Sequence, residues 1–311
     1  MGVDIGKIVV LAGGTGGAKL ARGMLDVVGP DELVVIANTG DDIDIYGAHV
    51  SPDPDLVSFW LADEIDERGW GLRDDTFAVM DALRALGHDV WFHLGDRDLA
   101  WCIERTRMTD EGLRPTQALA RLNETIGIRA TVLPMSDEPQ PTRVHTDEGW
   151  RPFQEFMIRD RASGPVHKVA FGEPSAPRAT PTPEVLAALL NARAVIIGPS
   201  NPVISVWPIL HSLGAALHDL SAPMVCVSPV VAGQIVKGPT AAFLNAYDHP
   251  VSAAGVTAFY ETVMPGLLDG VVADESLSSL PELRLDTLMA DGPSRAAVAR
   301  QTLQFALSLT H

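Results

Sequence analysis

The sequences KIVVLAGGTGGAK at residues 7–19 and ELVVIANTGDD at residues 32–42 decide the fold of this chain. Each joins an apolar run to a loop, and a continuous apolar run suits a parallel strand covered on both faces. The connection between them predicts a right-handed βαβ unit. Glycines let backbone N–H groups approach an anion where a helix starts, and neighbouring carboxylates suit a divalent cation. The pair predicts a site for a nucleotide or phosphoanhydride with its metal.

The same order of elements recurs along the chain, as apolar runs that alternate with amphipathic segments. Predicted strands lie at residues 7–12, 32–37, 129–133, 194–197, 224–227 and near 270–273. Predicted helices lie at residues 18–28, 76–86, 116–126 and 183–191. The sequence therefore predicts an α/β protein with a Rossmann-like, mostly parallel sheet and helices on both faces.

One stretch departs from this pattern. Residues 140–183 contain seven prolines, and the short alternating runs at residues 142–146 and 167–171 are typical of antiparallel strands. We expect a smaller inserted subdomain or lid at residues 140–183, within a nucleotide-binding core formed by residues 1–139 and 184–311.

Composition restricts the classes of partner. Forty acidic against 23 basic residues give a net charge of −17, which disfavours nucleic acid and anionic membranes as partners. No apolar run reaches the length of a membrane span, and no charged-then-apolar leader precedes the first strand. The only cysteines are Cys102 and Cys226, so a disulfide scaffold is not expected. We expect a soluble cytoplasmic protein that binds small molecules.

The glycine-rich loop matches neither of the two commonest phosphate-binding patterns. Counted from Gly14, the third glycine of a dinucleotide fingerprint is replaced by Lys19, and the second strand ends in Asn38 instead of an acidic residue. A P-loop is excluded because Ala18 precedes Lys19 and Leu20 follows it. One alternative is a tight turn whose glycines serve packing only. Four glycines within five positions favour a ligand site.

Two further segments admit a functional and a structural interpretation. The dense charge at residues 95–98 (GDRD) suits either a solvated turn or an arginine held by carboxylates to meet a ligand. The loop GPSNP at residues 198–202 offers Ser200 and Asn201 after a buried strand, where open α/β sheets bind ligands. A structural β-turn is the alternative there.

Eight segments together resemble the 2-phospho-L-lactate transferase family, whose members make the deazaflavin coenzyme F-420. They are GGTG at residues 13–16, NTGDD at 38–42, SPDPD at 51–55, DTF at 75–77, LGDRD at 94–98, PMSD at 134–137, IGPSNP at 197–202 and SP at 228–229. The resemblance runs in order from about residue 7 to residue 291. Their joint occurrence is far more specific than any single segment.

The resemblance implies transfer of a phospho-three-carbon-acid group from a GDP-activated donor to the ribityl hydroxyl of the deazaflavin Fo, with release of GMP. It implies Mg²⁺ as cofactor and a homodimer as the assembly. The transferred acid is enolpyruvyl, 2-lactyl or glyceryl. The composition, rich in Ala and Arg, favours a bacterial source and with it the enolpyruvyl donor.

The resemblance also assigns roles to the polar residues. The expected metal ligands are Asp41, Asp42, Asp53 and Asp55. The expected general base is Asp53 or Asp55, and the Fo side is formed by Asp53, His93 and Arg97. The expected nucleotide-binding residues are Gly13, Gly14, Thr15, Gly16, Gly17, Lys19, Gly198, Ser200, Asn201 and Ser228. Structural alternatives are helix capping for Asp53 or Asp55, a core position for His93 and a solvent-facing position for Lys19.

The chain departs from the family pattern at two points, and two other classes compete with the transferase. Pro54 and Leu56 replace the family's Leu and Thr, which stiffens the loop and removes a hydroxyl, and Glu138 replaces an Asp.

Nucleotide-sugar-binding regulators of carbon metabolism share a similar glycine-rich start and Asn-Thr-Gly-Asp segment but have no turnover. The segments at 95–98, 134–137 and 198–202 favour the transferase. A dinucleotide-dependent oxidoreductase is disfavoured by Asn38.

Overall fold

The computed structural model describes residues 6–235, 238–277 and 279–309. Its strands are β1 (Lys7–Ala12), β2 (Leu33–Ala37), β3 (Ile43–Ile45), β4 (Ala48–Val50), β5 (Thr131–Pro134), β6 (Thr142–Thr146), β7 (Gly149–Pro152), β8 (Lys168–Phe171), β9 (Ala192–Ile197), β10 (Met224–Val227), β11 (Val230–Val231), β12 (Gln234–Ile235), β13 (Gly270–Ala273) and β14 (Glu282–Arg284). Its α-helices are α1 (Gly14–Val28), α2 (Pro52–Leu61), α3 (Ala78–Ala85), α4 (Asp96–Asp110), α5 (Pro115–Thr125), α6 (Pro183–Leu190), α7 (Trp207–Leu213), α8 (Thr240–Asn245), α9 (Ala253–Val263) and α10 (Gly292–Ser308).

A seven-stranded sheet forms the centre, in the order β14-β13-β10-β9-β1-β2-β5, and its neighbouring strands pair in parallel. From β1 the chain adds β2 and β5 on one side of the sheet, and β9, β10, β13 and β14 then extend the sheet on the other side. The direction in which strands are added therefore reverses, and the switch point lies between β1 and β9. In open α/β sheets the crevice beyond the carboxyl ends of the strands at such a switch point is where ligands bind.

The sheet is covered on both faces, which confirms the predicted α/β, Rossmann-like class. Along β1, Val9 and Leu11 belong to one apolar cluster and Ile8 and Val10 to another. This alternation follows from the two-residue period of a strand. The first cluster includes residues of α6, α7 and α9, and the second includes residues of α1, α2 and α10.

Helix α1 begins earlier than the sequence predicts, at Gly14 instead of residue 18. Gly13 keeps an extended backbone (φ −134°, ψ 134°) and occupies the N-cap position. The glycine-rich segment is therefore the first turn of the helix and not a separate loop. The other predicted elements agree with the structure to within two residues at each end.

The region at residues 140–183 contains a three-stranded antiparallel sheet in the order β7-β6-β8, as its alternating runs predict. A short π-helical turn, Glu155–Arg159, follows β7. Phe153, Phe156 and Val169 join the first apolar cluster, so this sheet packs on the core. The boundaries of a separate subdomain stay a prediction. Among the described helices, none combines the length and apolarity needed to cross a membrane.

Candidate functional site

A cavity of about 560 Å³ lies at the switch point, beyond the carboxyl ends of β1, β9 and β10. We refer to it as the large cavity. Eight of the ten predicted nucleotide-binding residues line it: Gly13, Gly14, Thr15, Gly16, Lys19, Ser200, Asn201 and Ser228. Gly17 and Gly198 lie behind this wall, where their backbones touch.

The glycines seat the first turn of α1 against the loop after β9. A Cβ on Gly16 would lie 1.9 Å from the Pro199 carbonyl oxygen, and one on Gly13 would lie 2.5 Å from that of Ser205. A Cβ on Gly198 would lie 2.7 Å from the Cα of Gly17. These glycines therefore allow the two backbones to pack closely, and Gly13 and Gly16 also line the cavity.

Two amides at the start of α1 already have protein partners. Gly14 N–H donates to Asp53 Oδ1 at 2.6 Å, and Gly17 N–H donates to Ser200 Oγ at 3.0 Å. The amides of Gly14 and Gly17 are therefore used inside the protein, although the sequence suggested that the glycine loop would offer its amides to an anion. Asp53 at a helix N-terminus is itself stabilised by the helix dipole.

Asn201 lines the large cavity, and its side-chain amide has a fixed orientation. Its Oδ1 accepts hydrogen bonds from Val203 N–H at 3.0 Å and Ile204 N–H at 3.3 Å, which fixes the orientation of the amide. Its buried Nδ2 finds no acceptor among the described residues. Because a buried donor without a partner is costly, this amide is suited to a ligand oxygen.

Lys19 and Ser228 also have defined contacts. Lys19 Nζ donates to the Met289 carbonyl at 3.2 Å and lies 5.8 Å from the centre of the Trp60 ring, so it is not simply directed to solvent. The Ser228 hydroxyl exchanges hydrogen bonds with the Val230 backbone at 3.1 and 3.2 Å. Ser228 therefore shapes the wall with its hydroxyl already engaged.

Asp41 and Asp53 form a buried carboxylate pair on the same cavity. The Asn38 side-chain amide bridges them, at 3.0 Å from Asp41 Oδ1 and 2.9 Å from Asp53 Oδ2. Burial and the charge of Asp53 raise the pKa of Asp41 well above its usual range. Burial raises the pKa of Asp53 to about 6, against the opposing hydrogen bonds from Asn38 and Gly14.

Asp42 points to a different environment. The hairpin β3–β4 turns through Tyr46 and Gly47, both at positive φ. It brings Ser51 back next to Asp42, where Ser51 Oγ donates to Asp42 Oδ1 at 2.7 Å. His49 Nε2 lies 3.2 Å from Asp42 Oδ2. Hydrogen bonding to Asp42 raises the pKa of His49 to about 9, so its imidazolium balances the carboxylate. Asp42 lines a smaller cavity of about 310 Å³.

Asp55 is held by two side chains of α4. Its Oδ1 accepts a hydrogen bond from Trp101 Nε1 at 2.8 Å and forms a buried ion pair with Arg105. The N-cap position of α2 is Ser51, with Asp53 and Asp55 in the first turn. The capping interpretation of these two aspartates is therefore wrong for α2, and Asp53 instead accepts from the first amide of α1.

A second cavity of about 490 Å³ adjoins the first, and we refer to it as the aromatic cavity. Its aromatic wall comprises Phe59, Trp70, Trp91, Phe92 and His93, and its acidic wall comprises Asp53, Asp55 and Asp98. Asp53, Gln154 and Ile158 line both cavities. Asp53 therefore stands at the junction, where groups from two ligands can meet.

The structure brings His93 to the aromatic cavity but does not bring Arg97 there. His93 is hydrogen-bonded to Arg84, and its ring centre lies 6.0 Å from that of Phe77. The Arg97 guanidinium donates to the Arg73 carbonyl at 2.9 Å on the outer surface.

The segment at residues 95–98 forms the N-cap and first turn of α4, and the Arg97 side chain is exposed to solvent. Asp96 accepts from the amides of Ala78 and Val79 at the start of α3, at 3.0 and 2.9 Å. Asp75 in turn accepts from the amides of Arg97 and Asp98, at 2.8 and 3.0 Å. Asp96 of α4 therefore caps the start of α3, and Asp75, in the segment before α3, caps the start of α4.

Several residues of the site were missed by sequence reasoning. Gln154, in the inserted sheet region, donates to the Asp41 carbonyl at 2.8 Å, and nothing in the local pattern marks it. Asp98, Trp101 and Arg105 do share a signal, because their spacing of three and four places them on one face of α4. Burial, and then the charge of Asp55, raise the pKa of Asp98 to about 7.

The chain is similar to known transferases over nearly its full length. The sequence profile described as 2-phospho-L-lactate transferase CofD matches residues 8–299. A 2-phospho-L-lactate transferase from Methanospirillum hungatei is 36% identical over 285 residues, covering 91% of this chain and 94% of its own. A phosphoenolpyruvate transferase from Kitasatospora aureofaciens is 38% identical over 331 residues, covering 98% of this chain and 99% of its own.

A solved structure supports the fold alone. A member of the UPF0052 family from Bacillus halodurans superposes with a TM-score of 0.59 at 18% sequence identity, covering 88% of this chain and 82% of that protein.

Proposed function

Because the chain belongs to the 2-phospho-L-lactate transferase family, we propose that it transfers a phospho-three-carbon-acid group from a GDP-activated donor to Fo, releasing GMP, in F-420 biosynthesis. The observation that carries this proposal is the meeting of two cavities at one buried carboxylate, Asp53. A transfer between two large substrates requires two pockets that share their reacting end.

The large cavity suits the donor nucleotide. It lies at the switch point of the sheet and at the N-terminus of α1, where a diphosphate is stabilised. The unpartnered Asn201 amide and the ammonium group of Lys19 supply donors on its wall. We assign this cavity to the guanosine diphosphate part of the donor.

The aromatic cavity suits the acceptor. Flat ring systems stack on aromatic side chains, and Trp70, Trp91 and Phe92 line one side of this space. Its acidic side leads to Asp53, where the attacking hydroxyl would lie. We assign this cavity to the deazaflavin ring and its ribityl chain, with His93 at its wall and Arg97 outside it.

The carboxylate pair fits Mg²⁺. Asp41 and Asp53 are both buried and repel each other, and the hydrogen bonds described for them come from the neutral Asn38 amide and Gly14 N–H. Asp42 and Asp55 are already balanced by His49 and Arg105. We therefore propose Asp41 and Asp53 as the metal ligands. When bound, Mg²⁺ would offset the negative charge of the donor diphosphate.

The reaction then follows from the position of Asp53. The acceptor hydroxyl oxygen forms a bond to the phosphorus that carries the three-carbon acid, while the bond from that phosphorus to GMP breaks. GMP leaves with the bonding electron pair, and the hydroxyl proton passes to Asp53. Asp53 is assigned as the base because it lies at the junction of the two cavities. Since phosphoryl transfer has a loose transition state, positioning contributes more than base strength.

Direct product analysis tests the proposal. The protein is incubated with Fo, Mg²⁺ and each of the enolpyruvyl, lactyl and glyceryl donors in turn, and the products are weighed by mass spectrometry. We expect GMP and a phosphodiester of Fo, with the enolpyruvyl donor preferred. If no donor yields a product, the transferase proposal is wrong.

Thermal stabilisation separates the competing classes. We expect Fo with GDP and Mg²⁺ to raise the melting temperature, because ligands that bind the native state stabilise it. A response to UDP-sugars alone would support the regulator, and a response to NAD alone would support the oxidoreductase. We further propose, on the family resemblance, that the protein is a cytoplasmic homodimer. Light scattering of the purified protein measures its mass in solution and so tests whether it is a dimer.

A further inference from the structure

The acidic wall of the aromatic cavity has hydrogen-bonding capacity that the protein does not use. Asp55 is 4% exposed, and its buried Oδ2 has no hydrogen-bond partner among the described residues. Asp98 is 9% exposed and lines the same cavity, and no hydrogen bond to its carboxylate is found in the described parts of the chain. A buried acceptor without a donor is costly, so the unpartnered oxygen of Asp55 is suited to a ligand that brings a donor.

The two carboxylates lie close together on rigid supports. One carboxylate oxygen of each lies within 4.8 Å of the other and of the Cys102 sulfur. Asp55 Oδ1 is held by Trp101 and Arg105, and the backbone N–H of Asp98 donates to Asp75. The side chain of Asp55 and the backbone of Asp98 are thus held before a ligand arrives, which reduces the entropy lost on binding.

A metal ion is a poor occupant of this position. The Arg105 guanidinium already forms an ion pair with Asp55, and its Nη1 lies 4.0 Å from the Cys102 sulfur. A second cation would have to bind next to this fixed positive charge. Cys102 is also fully buried and does not line the cavity. Neutral donors, of which hydroxyl groups are the simplest, match the site better.

The aromatic residues of the same cavity indicate what carries these hydroxyls. Trp70, Trp91 and Phe92 line the same cavity, so an occupant with a flat ring and a polyhydroxylated chain would satisfy both walls. We propose that Asp98, with the free oxygen of Asp55, binds the inner hydroxyls of the ribityl chain. It thereby selects a polyol-bearing acceptor and directs the terminal hydroxyl to Asp53. This rests on the proposed function, because that function places the acceptor in this cavity.

Calorimetry with two acceptors tests this assignment. One ligand is Fo, and the other is a deazaflavin analogue that keeps the terminal hydroxyl but carries hydrogens in place of the inner hydroxyls. We expect the wild-type protein to bind Fo about 10- to 100-fold more tightly than the analogue, since hydrogen bonds to charged groups are strong. Asp98→Ala should weaken Fo binding by a similar factor and change analogue binding less than about twofold. Cys102→Ala, in the same cluster but outside the cavity, should leave the ratio of the two affinities unchanged.

The outcomes separate this inference from the function on which it rests. If wild-type protein does not bind Fo, the proposed function and the inference both fail. If wild-type protein binds Fo but Asp98→Ala binds it equally well, or if Asp98→Ala weakens both ligands equally, only the inference is overturned. Asp98→Asn keeps the shape of the side chain but replaces one acceptor oxygen with a donor, so if it folds as wild type and still loses the preference for Fo, both acceptor oxygens of Asp98 are required.

Discussion

Replacing Arg105 with Met is expected to destabilise the protein strongly, because it leaves Asp55 buried without its counter-ion. The two side chains are 4% and 5% exposed, so solvent cannot take over the missing interaction. Breaking a buried ion pair by removing one partner typically costs about 3–5 kcal/mol. At about 2.1 cal/mol/K of unfolding entropy per residue, a loss of 4 kcal/mol lowers the melting temperature of a chain this long by roughly 6 °C.

Urea unfolding followed by circular dichroism measures this loss, and a matched variant isolates its cause. In Arg105→Met combined with Asp55→Asn the uncompensated charge is absent, so we expect about half or more of the lost stability to return. The reasoning is refuted if Arg105→Met costs less than about 1 kcal/mol, or if the double variant is no more stable than the single one.

Three further changes test other parts of the site. Asn201→Asp keeps the oxygen that accepts from the Val203 and Ile204 amides but removes the donor, so it should weaken GDP binding by about tenfold or more and leave Fo binding unchanged; equal titration curves for wild type and variant with GDP would contradict this. The pKa of His49 is raised to about 9 in the folded protein, so its stabilising contribution is complete below about pH 6.5 and is lost as the pH rises to 9. Urea unfolding across that range should show a decline that His49→Gln reduces, and an unchanged decline would exclude His49 as its source. Gly16→Ala should destabilise the protein by about 1–3 kcal/mol, since its Cβ would lie 1.9 Å from the Pro199 carbonyl oxygen; a melting temperature equal to wild type would show that the loop yields freely.

The fold and the large cavity could be predicted from sequence because both follow from local signals. The apolar runs at β1, β2, β9 and β10 mark parallel strands, and parallel strands bring the loops after them to one edge. The glycine-rich segment and the loop at residues 198–202, both expected to bind the nucleotide, contact each other at this edge.

Two partners of the aspartates could not be predicted, because they lie far away in the sequence and meet the aspartates only in the folded chain. Arg105 reaches Asp55 across 50 residues, and Gln154 reaches Asp41 across 113. No periodicity connects such positions. The aspartates were expected to act as one cluster, but the hairpin β3–β4 and helix α4 supply His49 and Arg105 to two of them. This leaves Asp41 and Asp53 as the pair that faces the large cavity.

The most direct test of the account is single-turnover transfer by Asp53→Asn compared with wild type, with binding of GDP and Fo measured on the same samples. The variant keeps the shape of a residue shared by both cavities but removes its charge. We predict that both ligands still bind and that formation of the Fo phosphodiester slows by at least about 100-fold. Transfer at the wild-type rate would contradict the claim that the donor and acceptor meet at Asp53.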